Sequence, residues 1–194
     1  MLMDRLAEKY DRFIAVDRKT RVESLEFELR YFFDKLSDSK LYRRRLDKNH
    51  TVEVVNGDST KLDFIESESI DLILLDAPCS ATGSRPKPTN EGISDRQTKS
   101  YQKLQRKLIV EAIRILKPGG RMVYSTCSVL KAENEENVAF IEEKFGDKIK
   151  FEKKVFCSPF EDTKDATGGL VVIEREEKIL DTIGFFAARF KKLE

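Results

Sequence analysis

The feature that most constrains the fold is Ile70-Asp71-Leu72-Ile73-Leu74-Leu75, a nearly continuous apolar run that ends at Asp76. A run of that length without alternation predicts a strand buried on both faces, as in a sheet covered by helices on either side. Similar but shorter runs precede Asp17 (Phe13-Ile14-Ala15-Val16) and Gly57-Asp58 (Thr51 to Val55), and another spans Met122 to Tyr124. Between them lie helical periodicities. Val22, Leu25, Leu29 and Phe32 or Phe33 mark one inner face; Tyr101, Leu104, Leu108, Ile109, Ala112, Ile113 and Leu116 mark a longer one. Pro118-Gly119-Gly120 reads as the stop of that helix, and Glu133 to Phe145 as a further helix closed by Gly146. Two or three short strands follow, the last near Ile183 to Phe190. Strand–helix alternation predicts an α/β sandwich with a mostly parallel sheet, and 194 residues predict one domain over 1–194.

Composition narrows the class. Lys and Arg number 36 against 35 Asp and Glu, so no global basic field advertises a polyanionic partner, and nucleic-acid contact must rest on local patches. No apolar run is long enough to span a membrane, and no signal peptide precedes the charged start. Three cysteines without CxxC spacing and a single histidine, His50, argue against a disulfide framework, a thiol-redox motif or a bound metal. The chain reads as a soluble, reduced, intracellular protein, cytoplasmic or nuclear.

Ligands of open α/β sheets bind outside the carboxyl ends of the strands. Three acids and a thiol fall there: Asp17, Asp58, Asp76 and Cys127. Asp17 is suited to ribose hydroxyls and Gly57-Asp58 to the adenine end of the same ligand, although strand-ending acids also serve as plain caps and turn formers. The sharper signal is Asp76-Ala77-Pro78-Cys79-Ser80-Ala81-Thr82-Gly83 paired with Tyr124-Ser125-Thr126-Cys127-Ser128. Each places a cysteine directly after a strand, and adjacent strands would bring both thiols to one cleft.

These strings resemble the fourth and sixth motifs of the Nop/Sun-type RNA cytosine carbon-5 methyltransferases. The likeness extends to AVDR at Asp17, NGD at Asp58, SYQKLQRKL, LKPGG, AENEEN and the closing DTIGFFAARF. SYQKLQRKL, AENEEN and DTIGFF look most like the branch that methylates the tRNA acceptor end. The resemblance implies a Rossmann-like class I fold with S-adenosylmethionine as cofactor, an RNA substrate (tRNA for that branch) and 5-methylcytosine as product. It implies Cys127 as nucleophile, Cys79 in product release, Asp76 on the base edge, and Asp17, Asp58 and Asp76 toward the cofactor. In DNA cytosine methyltransferases, with a PCQ-like string, the equivalent of Cys79 is the nucleophile; the second cysteine favours the RNA type.

Two departures stand out. Ala81 occupies a position where the family has glycine, and the family's glycine-rich CAAPGGK-like loop is expected roughly 20 residues before Asp17. Only 16 residues precede Asp17, none of them glycine. The expectation is therefore a catalytic domain lacking its first strand, glycine loop and active-site lysine, and weak at binding cofactor by itself. A second class of function stays open, a non-catalytic remnant or isoform that binds RNA or a partner protein through the same cleft; cofactor binding separates the two.

Weaker features complete the reading. Arg43-Arg44-Arg45, Lys148, Lys150, Lys153 and Lys154 are either phosphate contacts or solvated faces, and Arg85 and Lys87 lie in the loop after Cys79. Cys157 reads as packing, His50 as a surface loop residue, and Glu133–Glu136 as acids complementing a helix N-terminus.

Overall fold

The computed structural model describes residues 9–31, 33–36, 41–44, 50–84, 92–152, 171–172 and 184–194, at 41–44 and 171–172 by backbone alone. Arg45, Arg85, Lys87, Lys153, Lys154 and Cys157 lie outside the described residues. The chain divides into two compact units, Met1–Leu62 and Asp63–Glu194, each with its own sheet.

In the first unit, β1 (Arg12–Asp17) runs parallel to β4 (Thr51–Asn56), with Asp17 opposite Asn56. The crossover carries α1 (Lys19–Leu29), whose buried Val22 and Leu29 pack with Phe33, Val52 and Val54. The helix stops before the phenylalanine pair. Phe33 starts β2 (Phe33–Lys35), which pairs antiparallel with β3 (Leu41–Arg44), itself antiparallel to β4. Phe33 is buried all the same, because its strand turns it toward the core that a further helical turn was expected to serve.

The second unit holds the order β5-β6-β9-β7, with β8 also on β9. β5 (Ile70–Asp76) and β6 (Leu116–Thr126) are parallel, joined by the 21-residue α2 (Asp95–Ile115). Ser94 starts α2 through a reciprocal capping box with Gln97, which satisfies two otherwise orphaned donors. α3 (Glu135–Phe145) begins two residues later than expected and ends at Gly146. β9 (Phe186–Lys192) lies antiparallel between β6 and β7 (Ile149–Phe151), and β8 is Val171–Val172. The parallel pairs are thus β1–β4 and β5–β6, and the other described pairings are antiparallel, a mixed arrangement where a mostly parallel one was expected. In the first unit β2, β3 and β4 follow one another over connections too short for the crossover that parallel strands need.

The core of this unit joins Leu108, Ile109, Ala112 and Ile113 of α2 with Leu116, Met122 and Tyr124 of β6, Ile141 of α3, and Phe186 and Phe190 of β9. Each large side chain so buried contributes about 1.5–3 kcal/mol. Lys192 secures the end of α2 by donating from its buried Nζ to the carbonyls of Ile113 (3.1 Å) and Leu116 (2.7 Å). Two sequence expectations change here. α2 ends at Ile115, ahead of Pro118-Gly119-Gly120 as expected, but those three residues lie inside β6, forming an irregularity where Ile70 pairs Leu116 but Leu72 pairs Arg121, with Gly119 at φ +76°. On β5, Ile73 and Leu75 meet the α2 core, while on the opposite face Leu72 is half-buried and Leu74 is 49% exposed among the described residues.

Candidate active site

The site is assembled from the loops that leave β5 and β6. Asp76 and Ser125 are register partners on the two strands, and Ser125 Oγ donates to Asp76 Oδ1 at 3.3 Å. Ala77 N donates to Ser125 O at 3.0 Å, carrying the pairing one residue past β5. The loops then turn toward each other. Cys79 and Cys127, 48 residues apart, bring their sulfurs to 3.2 Å, both free thiols and both half-buried. Burial pushes the Cys79 thiol up to about 12, and the neighbouring Cys127 thiol adds to the rise against the pull of the Ala81 amide.

Two glycines permit this approach. Gly83 N donates to Cys127 O at 2.9 Å and Gly184 N to Gly83 O at 2.8 Å. A Cβ on Gly83 would sit 2.2 Å from Gly184 O and 2.9 Å from Cys127 O, both rigid backbone atoms. Ala81, where the family has glycine, adopts φ +53°, a conformation that opposes any side chain.

Beneath the thiols lies a polar cluster. Glu133 is wholly buried, and its carboxylate accepts from Ser80 N (3.1 Å) and Ser80 Oγ (2.7 Å), with Gln105 Nε2 at 3.4 Å. Gln105 Nε2 also donates to Pro78 O at 2.9 Å. Tyr124 OH donates to Glu133 O at 2.6 Å, and burial pushes that phenol upward as well. Thr126 Oγ1 donates to Asn134 Oδ1 at 2.6 Å while Asn134 Nδ2 donates to Ser128 O at 2.9 Å, fixing the loop around Cys127. A buried carboxylate costs several kcal/mol unless hydrogen bonds replace its water; here Ser80 and Gln105 supply them. Sequence reasoning assigned Glu133 to the helix N-terminus and passed over Gln105. The available signal was Gln105 itself, a polar residue on the same stripe as Tyr101, Leu108, Ile109 and Ala112.

Residues 34–191 match the 16S rRNA methyltransferase RsmB/F family. The chain belongs to that family. Among relatives of RsmB/F type, the human tRNA (cytosine(72)-C(5))-methyltransferase NSUN6 is 48% identical over 96 residues, 45% of this chain and 20% of that protein. Ribosomal RNA small subunit methyltransferase F of Photobacterium profundum is 38% identical over 128 residues, 64% of this chain and 26% of its own length. The crystal structure of NSun6 from Pyrococcus horikoshii with SFG superimposes with a TM-score of 0.74 at 29% identity, covering 99% of this chain and 44% of that one. This chain therefore spans about a fifth to a quarter of the curated relatives cited and under half of the solved one. The fold is that of the class I methyltransferases, as the motifs implied.

The RsmB/F acids of the first unit are placed differently. Asp17 ends β1, where its Oδ1 accepts from Arg18 N at 2.7 Å and its Oδ2 faces Arg21 at 4.0 Å. Asp58 follows β4, and its Oδ1 accepts from Thr60 N (2.9 Å) and Thr60 Oγ1 (2.8 Å). Those hydrogen bonds, the amide first, hold the Asp58 carboxyl below its ordinary value of 3.8. His50 is half-buried, and no described helix is long and apolar enough to cross a membrane.

Proposed function

We propose that the chain is the part of an RNA cytosine-C5 methyltransferase that carries out covalent catalysis on the base, with tRNA as the substrate class. The observation that carries this reading is the pair of thiols at 3.2 Å, delivered by separate loops at the ends of β5 and β6. Carbon 5 of cytosine is too weak a nucleophile to take a methyl group unaided. Addition of a Cys127 thiolate to carbon 6 forms a C–S bond and makes carbon 5 enamine-like. The roles follow the motif resemblance: Cys127 of Thr126-Cys127-Ser128 is the attacking sulfur, and Cys79, whose thiol burial pushes upward, is the second one. Asp76, exposed at the end of its strand, accepts a hydrogen bond from the base edge as charge shifts during addition. Release requires the carbon-5 proton to leave and the carbon-6–sulfur bond to break, returning the thiolate; Cys79 lies against the sulfur that departs.

S-adenosylmethionine, when bound, supplies the electrophilic methyl. The acids present fit its adenosine: Asp17 and Asp58 each commit Oδ1 to their own chain, and the exposed Oδ2 of Asp17, with Arg21 4.0 Å away, and that of Asp58 are the atoms to hold a hydroxyl or the base edge. The tRNA assignment is supported by the 48% identity to NSUN6, a tRNA methyltransferase, over 96 residues. The experiment is adduct trapping in the full protein, incubated with cytosine-containing tRNA and cofactor and run on a denaturing gel. Cys79→Ala is expected to accumulate a covalent RNA adduct and Cys127→Ala to form none. The reverse pattern would exchange the roles, and no adduct in either variant would remove the reading.

A further inference from the structure

The reaction above leaves unused the buried cluster under the thiols. Ser80 Oγ, Thr82 Oγ1 and Ser128 Oγ form a closed ring with edges of 3.2 Å (Ser80–Thr82), 3.1 Å (Ser80–Ser128) and 3.1 Å (Thr82–Ser128). The ring bridges the two loops, since Ser80 follows Cys79 and Ser128 follows Cys127. Its protons have few places to go. Ser80 donates its hydroxyl to Glu133 Oε2 at 2.7 Å, so its oxygen must accept within the ring. Thr82 Oγ1 accepts from Val129 N and Ser128 Oγ from Leu130 N, each at 3.1 Å, so both hydroxyl hydrogens turn inward. Glu133 takes one of the three hydroxyl hydrogens, so two remain for the three edges, and Ser80 Oγ can only accept from Thr82 or Ser128.

We infer that Glu133 is a positioning residue: its carboxylate orients the Ser80–Thr82–Ser128 ring, and the ring sets the approach of Cys79 to Cys127. The assignment of a purpose to that approach rests on the covalent reading given above; the positioning itself does not. A glutamate that only filled a buried polar site would stabilise the fold without governing the thiols.

The two are separated by a thiol–disulfide equilibrium. The 194-residue chain, with Cys157→Ser to remove the third thiol, is equilibrated in mixtures of reduced and oxidised glutathione. The Cys79–Cys127 disulfide is then quantified by peptide mapping. In that exchange the two protein thiols give up two electrons and two protons, and one glutathione disulfide becomes two glutathione thiols. The constant reports how well the fold presents one sulfur to the other. Glu133→Ala and Ser80→Ala are each expected to lower it by about tenfold, a potential about 30 mV more positive. Glu133→Gln should lower it by less than the alanine, because its carbonyl still accepts the Ser80 amide while its amide, donating to the Ser80 oxygen, sends the Ser80 hydrogen back into the ring. Ser80→Ala removes one oxygen only, so it remains informative if Glu133→Ala fails to fold in a parallel melt. A constant unchanged or raised in Ser80→Ala, or lowered as much by Glu133→Gln as by the alanine, overturns the inference. Because no RNA or cofactor enters this measurement, a shift here with no adduct in the trapping experiment would retain the positioning role and remove the methyltransferase reading.

Discussion

The strand ends of the two units carry similar polar residues and hold them in opposite ways. After β1 and β4, Asp17 and Asp58 are tied within two residues of themselves, to Arg18 N and to Thr60. After β5 and β6, the contacts span 46 to 53 residues of sequence: Ser80 to Glu133, Thr82 to Ser128, Cys79 to Cys127. Local contacts shape the first pair, so substitutions there should touch ligand affinity far more than the fold. The second set exists only while both loops are docked, and a change in it must register in stability, thiol chemistry or both.

The largest expected effect is on Cys79 reactivity. With burial pushing its thiol upward from an ordinary 9.0, Cys79 should carry far less thiolate than a free cysteine near neutral pH. Alkylation by iodoacetamide, followed by mass spectrometry, should keep accelerating well past pH 9 at Cys79. A plateau near pH 9 would show that the docked loops do not bury it. The linked effect on stability has a fixed sign: above pH 9 the unfolded thiol ionises first, so the folded chain loses stability from there toward pH 12.

Next is Gly83→Ala. With Gly184 O 2.2 Å and Cys127 O 2.9 Å from the added carbon, the two loops must part, and urea unfolding should register a loss of about 3 kcal/mol. A loss near zero would mean the loops are not docked as described. On the other side of the comparison, Asp17→Ala in the full protein should weaken cofactor binding measured by calorimetry, each lost charge-assisted hydrogen bond being worth about 1.5–3 kcal/mol. Turnover at saturating cofactor should change little, because such contacts are equal in ground and transition states.

Smaller still is Ala81→Gly. Relief of the left-handed backbone at φ +53° should add about 1 kcal/mol of stability, less the entropy a glycine costs in the unfolded chain. The smallest effect is expected at Asp58, whose carboxyl titrates low and contributes above the unfolded value, the contribution fading as pH falls through the lowered one. Thr60→Ala removes the hydroxyl donor and keeps the amide, so it should bring that titration part of the way back toward 3.8 in a carbon-detected NMR experiment. No movement would show that the Thr60 hydroxyl is not a cause.

What was legible in the sequence was whatever depends on local pattern. The apolar runs located β1, β4 and β5 and the acids that close them, helical spacing located α2, and the two Cys-Ser pairs marked the chemistry. The hairpin of β2 and β3 left no such trace, because Asp34-Lys35-Leu36-Ser37-Asp38-Ser39-Lys40 is charged and polar and shows no alternation to read. Pro118-Gly119-Gly120 looked like a boundary, since proline and glycine oppose regular structure in either reading; only pairing with β5 revealed a strand that carries an irregularity. The exposure of Leu74 on β5 was equally invisible, because apolar composition records what a strand can bury and not what covers it. Glu133 shows the limit most plainly. In sequence it is one acid among Glu133, Glu135 and Glu136, and the distinction between a solvated charge and a buried one arises only when Ser80, 53 residues away, arrives to donate to it.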